Sequence, residues 1–218
     1  MERGVTAVSM VLVILGMVGV AAARAPSRDA AGTLRGGGRS GLMLFCTVGQ
    51  LGSALAAAVL GLAAGAGLEI AARQVVSAGA ALMVLGASLA VLDRAEPTSD
   101  SRRIGLPTLA LAAGVYSLAG LPPTDGFFAK MLIYESGIRS GDLVSRLTVG
   151  LVALFNLIWL VRGSELVSSA RRMEKAQGPP IARKGEALVM ALLICFIVGG
   201  GLLPGFFSQV WRFIVAQR

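Results

Sequence analysis

The stretch Ser117-Leu118-Ala119-Gly120-Leu121-Pro122-Pro123-Thr124-Asp125-Gly126-Phe127-Phe128-Ala129-Lys130 decides how the chain folds. It interrupts a long apolar region running from Ile104 to Ile138. Adjacent prolines remove two backbone donors and clash with the preceding turn, so a helix must open at Pro122-Pro123. In a bilayer the freed carbonyls need protein groups or water, because lipid offers no donors. Four residues past Gly126 stands Lys130, within the otherwise apolar stretch from Phe127 to Tyr134. A charged lysine near the bilayer centre costs about 2.5–3.5 kcal/mol. Desolvation disfavours its charged form, so such a lysine can lose and regain a proton. A broken helix beside an ionisable group is how many transporters build an ion site. The bland alternative is that Lys130 snorkels to an interface while the prolines merely end a helix; the pattern favours the functional reading.

The surrounding composition explains why a bilayer is the right setting. Of 218 residues, 55% are hydrophobic and only 15% are charged, with a mean hydropathy of +0.76. A soluble domain would carry roughly a quarter charged residues. The 29 glycines suit tightly packed membrane helices. Five further apolar runs are long enough to cross: Val5–Ala23, Leu42–Gly67, Val75–Leu92, Leu143–Val161 and Ala187 to about Val215. The last contains Gly199-Gly200-Gly201 and Pro204. These runs are too long and continuous for barrel strands. The expected fold is all-α and integral to the membrane, one transmembrane domain over residues 1–218 with six spans, the fourth broken.

Charge placement decides between six spans and seven. With one broken span, the loops 24–41, 93–103 and 162–186 share a side and hold thirteen basic residues, against six (Arg3, Arg73, Arg139, Arg146, Arg212 and Arg218) on the other. Counting the interrupted region as two spans gives eleven against eight. The six-span arrangement obeys the positive-inside rule better and places both termini outside. The same bias accounts for the net charge of +8 better than a nucleic-acid surface does. A cleaved signal peptide ending near Ala21-Ala22-Ala23 is a competing reading of the first run. It would leave the Arg-rich loop 24–41 outside, against the charge rule.

Other residues carry weaker signals. Asp125, in the break, either holds water, accepts a proton or forms the turn. Glu135 lies about 140° around the helix from Lys130, so the two need not pair; it is a candidate proton-path carboxylate near the outer end. Tyr134, one turn from Lys130, is placed to hydrogen-bond it. Gln50, Tyr134 and Asn156 are candidates to order water, and Tyr116 to face the same cavity as Asn156, although lone polar residues more often make helix–helix contacts. Arg171-Arg172-Met173-Glu174-Lys175 reads as a cytoplasmic anchoring loop and Gly36-Gly37-Gly38 as a flexible linker. Cys46 and Cys195 sit in apolar runs without CxxC spacing, and the chain has no histidine. Packing is the expected role of both, and no metal site is expected.

The run from Ser117 to Lys130 closely resembles the SLAG[IL]PP-T-x-GF-x-x-K motif of the antiporter-like, proton-pumping membrane subunits of respiratory complex I, the NADH:quinone oxidoreductase, nearest the chain-N type. Arg39 to Gly52, with Leu44-Phe45-Cys46-Thr47-Val48-Gly49-Gln50-Leu51-Gly52, resembles that family's KRLLAYSSIAQLG helix in degraded form. Leu85-Gly86-Ala87 falls where the family has LGAF. Leu151 to Arg162, including Asn156, resembles VLNSVISAYYYLR, and Gly201-Leu202-Leu203-Pro204-Gly205 resembles the end of the last helix. The family fold has two inverted five-helix repeats, each with a broken helix. The resemblance therefore implies that this chain corresponds to the second repeat plus the final helix. It implies that Lys130 takes the place of the protonatable lysine on the broken helix.

Departures from the family pattern limit what the resemblance implies. The first repeat, with its glutamate–lysine pair, is missing. The span Val75–Leu92 carries no ionisable group, Gln50 stands where some members have histidine, and Leu157, Ile158, Trp159 and Leu160 replace the tyrosines of the fifth span. Either a second chain supplies the first half, the sequence is a fragment, or the half-subunit has become structural. The expected role is a non-redox membrane subunit contributing to proton translocation in a complex of this type. No cofactor or catalytic redox residue is expected in this chain. The expected partners are other membrane subunits and the lipid of the inner (cytoplasmic) membrane, not nucleic acid. A subunit of a cation/proton antiporter or membrane-bound hydrogenase, and a non-conducting scaffold, are the alternatives.

Overall fold

The structure, a computed structural model, describes residues 2–23, 37–62, 67–94, 105–177, 182–203, 205 and 209. Those residues form seven helices and, among them, no strand. They are α1 (Glu2–Ala22), α2 (Gly37–Leu62), α3 (Gly67–Asp93), α4 (Leu106–Ala119), α5 (Asp125–Ser140), α6 (Leu143–Gln177) and α7 (Lys184–Leu202). Five of them, α1, α2, α3, α6 and α7, are long and apolar enough to cross a membrane. Neither α4, of 14 residues, nor α5, of 16, reaches the length a crossing needs. They follow one another across Gly120–Thr124, the interruption that the sequence predicts at Pro122-Pro123.

Contacts at the helix ends agree with that path. The end of α3 meets the start of α7 through Arg94 Nη2 and Glu186 Oε1, 2.8 Å apart. The Gly105 amide, before α4, donates to Glu174 Oε1 near the end of α6. Arg162 of α6 donates to the Ala21 carbonyl at the end of α1. The end of α3, the starts of α4 and α7, the end of α1 and the far part of α6 therefore share one side. The six-span charge count assigns that side to the cytoplasm. At the opposite end Ala57 and Leu60 of α2, Ile70 of α3 and Ile133 of α5 form a small cluster.

The main core is centred on Trp159, Phe155, Leu85, Leu111 and Leu118, all fully buried. Large apolar side chains also point outward, among them Val8, Val11 and Leu15 of α1, Leu147 and Leu157 of α6, and Leu188 and Leu192 of α7. An outer surface of this kind suits lipid. Small residues bring backbones together inside. A Cβ on Gly16 would lie 2.5 Å from Gly49 Cα, and one on Gly52 would lie 2.8 Å from Val13.

Three boundaries and the placement of one cysteine differ from the sequence reading. Helix α3 begins at Gly67, not Val75, so Arg73 and Gln74 lie within it, whereas the charge count placed Arg73 in an outer loop. Hydropathy scanning ends a span at an arginine, but a partner inside the bundle lets the helix continue. Gly37 and Gly38 of the supposed linker begin α2, while Gly36 lies outside the described residues. Helix α6 runs on past Val161 to Gln177, so the segment 171–175 is helical, not a loop. Cys195 is exposed on α7, not packed inside, while Cys46 is buried. Of the last run, Pro204 and residues 210–215 lie outside the described residues. So does most of the loops 24–41 and 93–103.

Candidate functional site

The break is built by an accounting of backbone hydrogen bonds. Pro122 and Pro123 cannot donate, which orphans the carbonyls of Leu118 and Ala119 one turn earlier. Gly120 turns the chain in the left-handed conformation, φ 75°. Its amide bonds the Ser117 carbonyl, and the Leu121 amide bonds the Tyr116 carbonyl, both at 3.0 Å, which is a Schellman ending. The Leu118 carbonyl is taken by a side chain from another helix. Gln50 Nε2 of α2 donates to it at 3.3 Å. Gln74 Nε2 of α3 in turn donates to Gln50 Oε1 at 2.9 Å. Both glutamines are buried. Gln50, expected to order water, instead caps a broken helix.

Beyond the prolines, which are exposed, the chain turns inward. Thr124 Oγ1 donates to the Leu121 carbonyl at 2.6 Å, and α5 starts at Asp125. A carboxylate in a first helical turn is favoured by the exposed amides there. Two close approaches fix this end. A Cβ on Gly126 would lie 2.0 Å from the Ser117 carbonyl oxygen, so α5 starts against the end of α4. A Cβ on Gly201 would lie 1.9 Å from the Pro123 carbonyl oxygen, and one on Gly200 3.0 Å from Asp125 Cβ. The glycine triplet of α7 is thus the surface against which the break seats.

Asp125 is an ion-pair partner. Arg73 Nη2 lies 2.9 Å from Asp125 Oδ1, with side-chain exposures of 4% and 3%. The Arg73 guanidinium also lies 5.9 Å from the centre of the Phe128 ring, within the range of a cation–π contact. Phe127 meets Phe128 edge to face at 5.3 Å. The sequence reading missed Arg73. The available signal was the buried-carboxylate candidate itself, since an acid inside a membrane protein needs a cation.

Lys130 is 3% exposed. Its aliphatic stem runs back against Gly120, where an added Cβ would lie 2.5 Å from Lys130 Cδ. Helical side chains point toward the helix start, which carries the ammonium toward the break rather than outward to an interface. Asp125, at the start of the same helix, is likewise buried. The other candidates divide. Tyr134 accepts from Asn156 Nδ2 at 2.9 Å, tying α5 to α6 rather than bonding Lys130. Tyr116 is 38% exposed and turns away from the interior. Glu135 is exposed and pairs with Arg139 at 2.6 Å on the outer face of α5. The structure therefore brings together Lys130, Asp125, Gln50, Pro122, Pro123 and Gly126, adds Arg73 and Gln74, and leaves Glu135 and Tyr116 aside.

No family model matches the chain. Individual proteins do. It is 30% identical to NADH-quinone oxidoreductase subunit N of Deinococcus radiodurans over 112 residues, 49% of this chain and 23% of the relative. It is 29% identical to subunit N of Geobacter metallireducens over 175 residues, 75% of this chain and 36% of the relative. It is 31% identical to subunit N 2 of Syntrophobacter fumaroxidans over 106 residues, 47% of this chain and 22% of the relative. The chain is similar in part to these subunit N proteins. It spans about a quarter to a third of the length of the subunit N relatives it matches. An all-helical fold with several apolar helices accords with that family and makes this a membrane protein.

Proposed function

We propose that this chain is a membrane subunit of an NADH:quinone oxidoreductase-like complex in the cytoplasmic membrane, and that it contributes to proton translocation through Lys130. The observation that carries the reading is a buried lysine folded back against a helix break whose Leu118 carbonyl accepts from Gln50 of a neighbouring helix. The neutral amine takes a proton from water reaching the break, and the ammonium returns it on the other side. Residues 1–218 act as one transmembrane domain. Other membrane subunits of the complex surround it. Glu135, on the outer face of α5, serves as an exit carboxylate, and Asp125 as the charge beside the carrier.

Lys130→Ala tests this in membrane vesicles. NADH-driven acidification per electron falls while the chain still co-purifies with its neighbours. Unchanged acidification with intact assembly overturns the proposal and leaves a scaffold.

A further inference from the structure

Helix α6 changes character along a single outward face. Leu147, Leu154, Leu157 and Val161 are exposed on it. Ser164, Ser168 and Arg172 continue the line, each three or four residues after the one before, a spacing that keeps side chains on one helix face. A strip suited to acyl chains therefore passes directly into a polar one just beyond Val161. There Arg162, Ser164, Glu165, Ser168, Ser169 and Arg172 line one open recess. It lies beside the end of α1, whose Ala21 carbonyl accepts from Arg162.

The donors of the recess are unequally engaged. Arg162 is fixed by Glu165 Oε2, 3.1 Å from its Nη1, and by the Ala21 carbonyl. Ser164 donates to the Val161 carbonyl at 2.8 Å and Ser169 to the Glu165 carbonyl at 2.9 Å, each within its own preceding turn. Among the described residues, the Ser168 hydroxyl and the Arg172 guanidinium have no partner. Two arginines against one glutamate leave the recess a net charge of +1. Because Arg162 and Glu165 neutralise each other, that charge belongs to Arg172. Helical side chains lean toward the helix start, which carries the Arg172 guanidinium back toward Ser168 and the membrane.

We propose that this recess binds the phosphate of an anionic phospholipid, with Arg172 and Ser168 as its donors and the acyl chains lying along Leu157 and Val161. A guanidinium matches a phosphate through two parallel bonds. Charge selects the headgroup. A glycerol headgroup brings one negative charge and neutralises the recess, whereas a choline or ethanolamine headgroup brings its own cation and leaves Arg172 unmatched. Position selects a lipid over free phosphate. Basic recesses at the membrane border take anionic headgroups, and only an amphiphile covers the polar recess and the apolar strip together. The proposal uses none of the groups at the helix break.

The full chain in a neutral detergent is titrated with dioleoylphosphatidylglycerol, dioleoylphosphatidylcholine or inorganic phosphate, and bound molecules are counted by native mass spectrometry. Phosphatidylglycerol binds about fivefold more tightly than phosphatidylcholine, the worth of one basic side chain at a membrane surface. Arg172→Gln removes that preference. Lys184→Gln deletes another exposed positive charge on the same side, at the start of α7, and keeps it. Both residues are exposed, so both variants fold. Equal affinity for the two lipids overturns the proposal. So do equal losses in Arg172→Gln and Lys184→Gln, which would mean attraction to surface charge at large. Inorganic phosphate that displaces phosphatidylglycerol at equal concentration also overturns it, since the recess would then hold a free anion rather than a lipid.

Discussion

The α1–α2 seam and the α4–α5 break are both lined with glycine, yet they do opposite things. At the seam, Gly16 lies against Gly49, Gly52 against Val13, and Gly19 beneath the Phe45 ring. Both helices are unbroken, so their backbone groups are satisfied internally and the close approach adds only dispersion contacts. At the break, Gly126 and Gly201 bring backbone against backbone that has lost its own ladder. The freed carbonyls draw in Gln50, and the start of α5 draws in Arg73. The polar content of a membrane interior thus follows from where the backbone is interrupted, more than from how small the residues are.

Four substitutions sharpen that contrast. The largest effect is expected at Gly201→Ala, whose methyl meets the Pro123 carbonyl with backbone on both sides. A loss of about 3 kcal/mol is expected. Gly19→Ala meets only the ring of Phe45, which is 37% exposed and free to swing, for no more than about 1 kcal/mol. Thermal unfolding in nanodiscs compares them, and equal losses would erase the distinction. Next comes Gln50→Leu, which strands the Leu118 carbonyl and the Gln74 amide, at about 1–3 kcal/mol. Ser53→Ala on the same helix is milder, because its hydroxyl donates to a carbonyl of its own preceding turn. Identical losses for these two would mean that the cap contributes nothing.

The smallest effect lies outside the span. Asp142 accepts from the Ser145 hydroxyl at 2.6 Å and the Ser145 amide at 2.8 Å, capping α6. These bonds hold its carboxyl below the ordinary 3.8. Its stabilisation is therefore present above that ordinary value and fades as pH falls through the depressed one. Asp142→Ala lowers stability slightly at neutral pH and flattens the acid limb of the unfolding temperature against pH. A limb of unchanged slope would contradict this.

The break and the helical class were legible because proline chemistry and apolar length are local properties. Lys130 was legible as a charge with nowhere polar to go. Arg73 was not, because its place depends on a carboxylate 52 residues away, and a hydropathy window reads an arginine as a border. The extension of α6 was hidden for the opposite reason. Its sequence beyond Val161 is polar, yet Glu174 is buried there, bound to the Gly105 amide. The bond from Gln50 to the Leu118 carbonyl was not legible either, since which carbonyl needs a donor is known only once the break has a shape.

Helix α6 has a mechanical consequence for that shape. It is continuous over 35 residues, about 52 Å. Along it, Asn156 grips Tyr134 of α5, Trp159 donates to the Val115 carbonyl of α4, and Glu174 holds the amide that begins α4. Both pieces of the fractured crossing are therefore strapped to one intact rod, as a snapped bone is to a splint. The gap between them can flex and admit solvent while its two fragments stay in line.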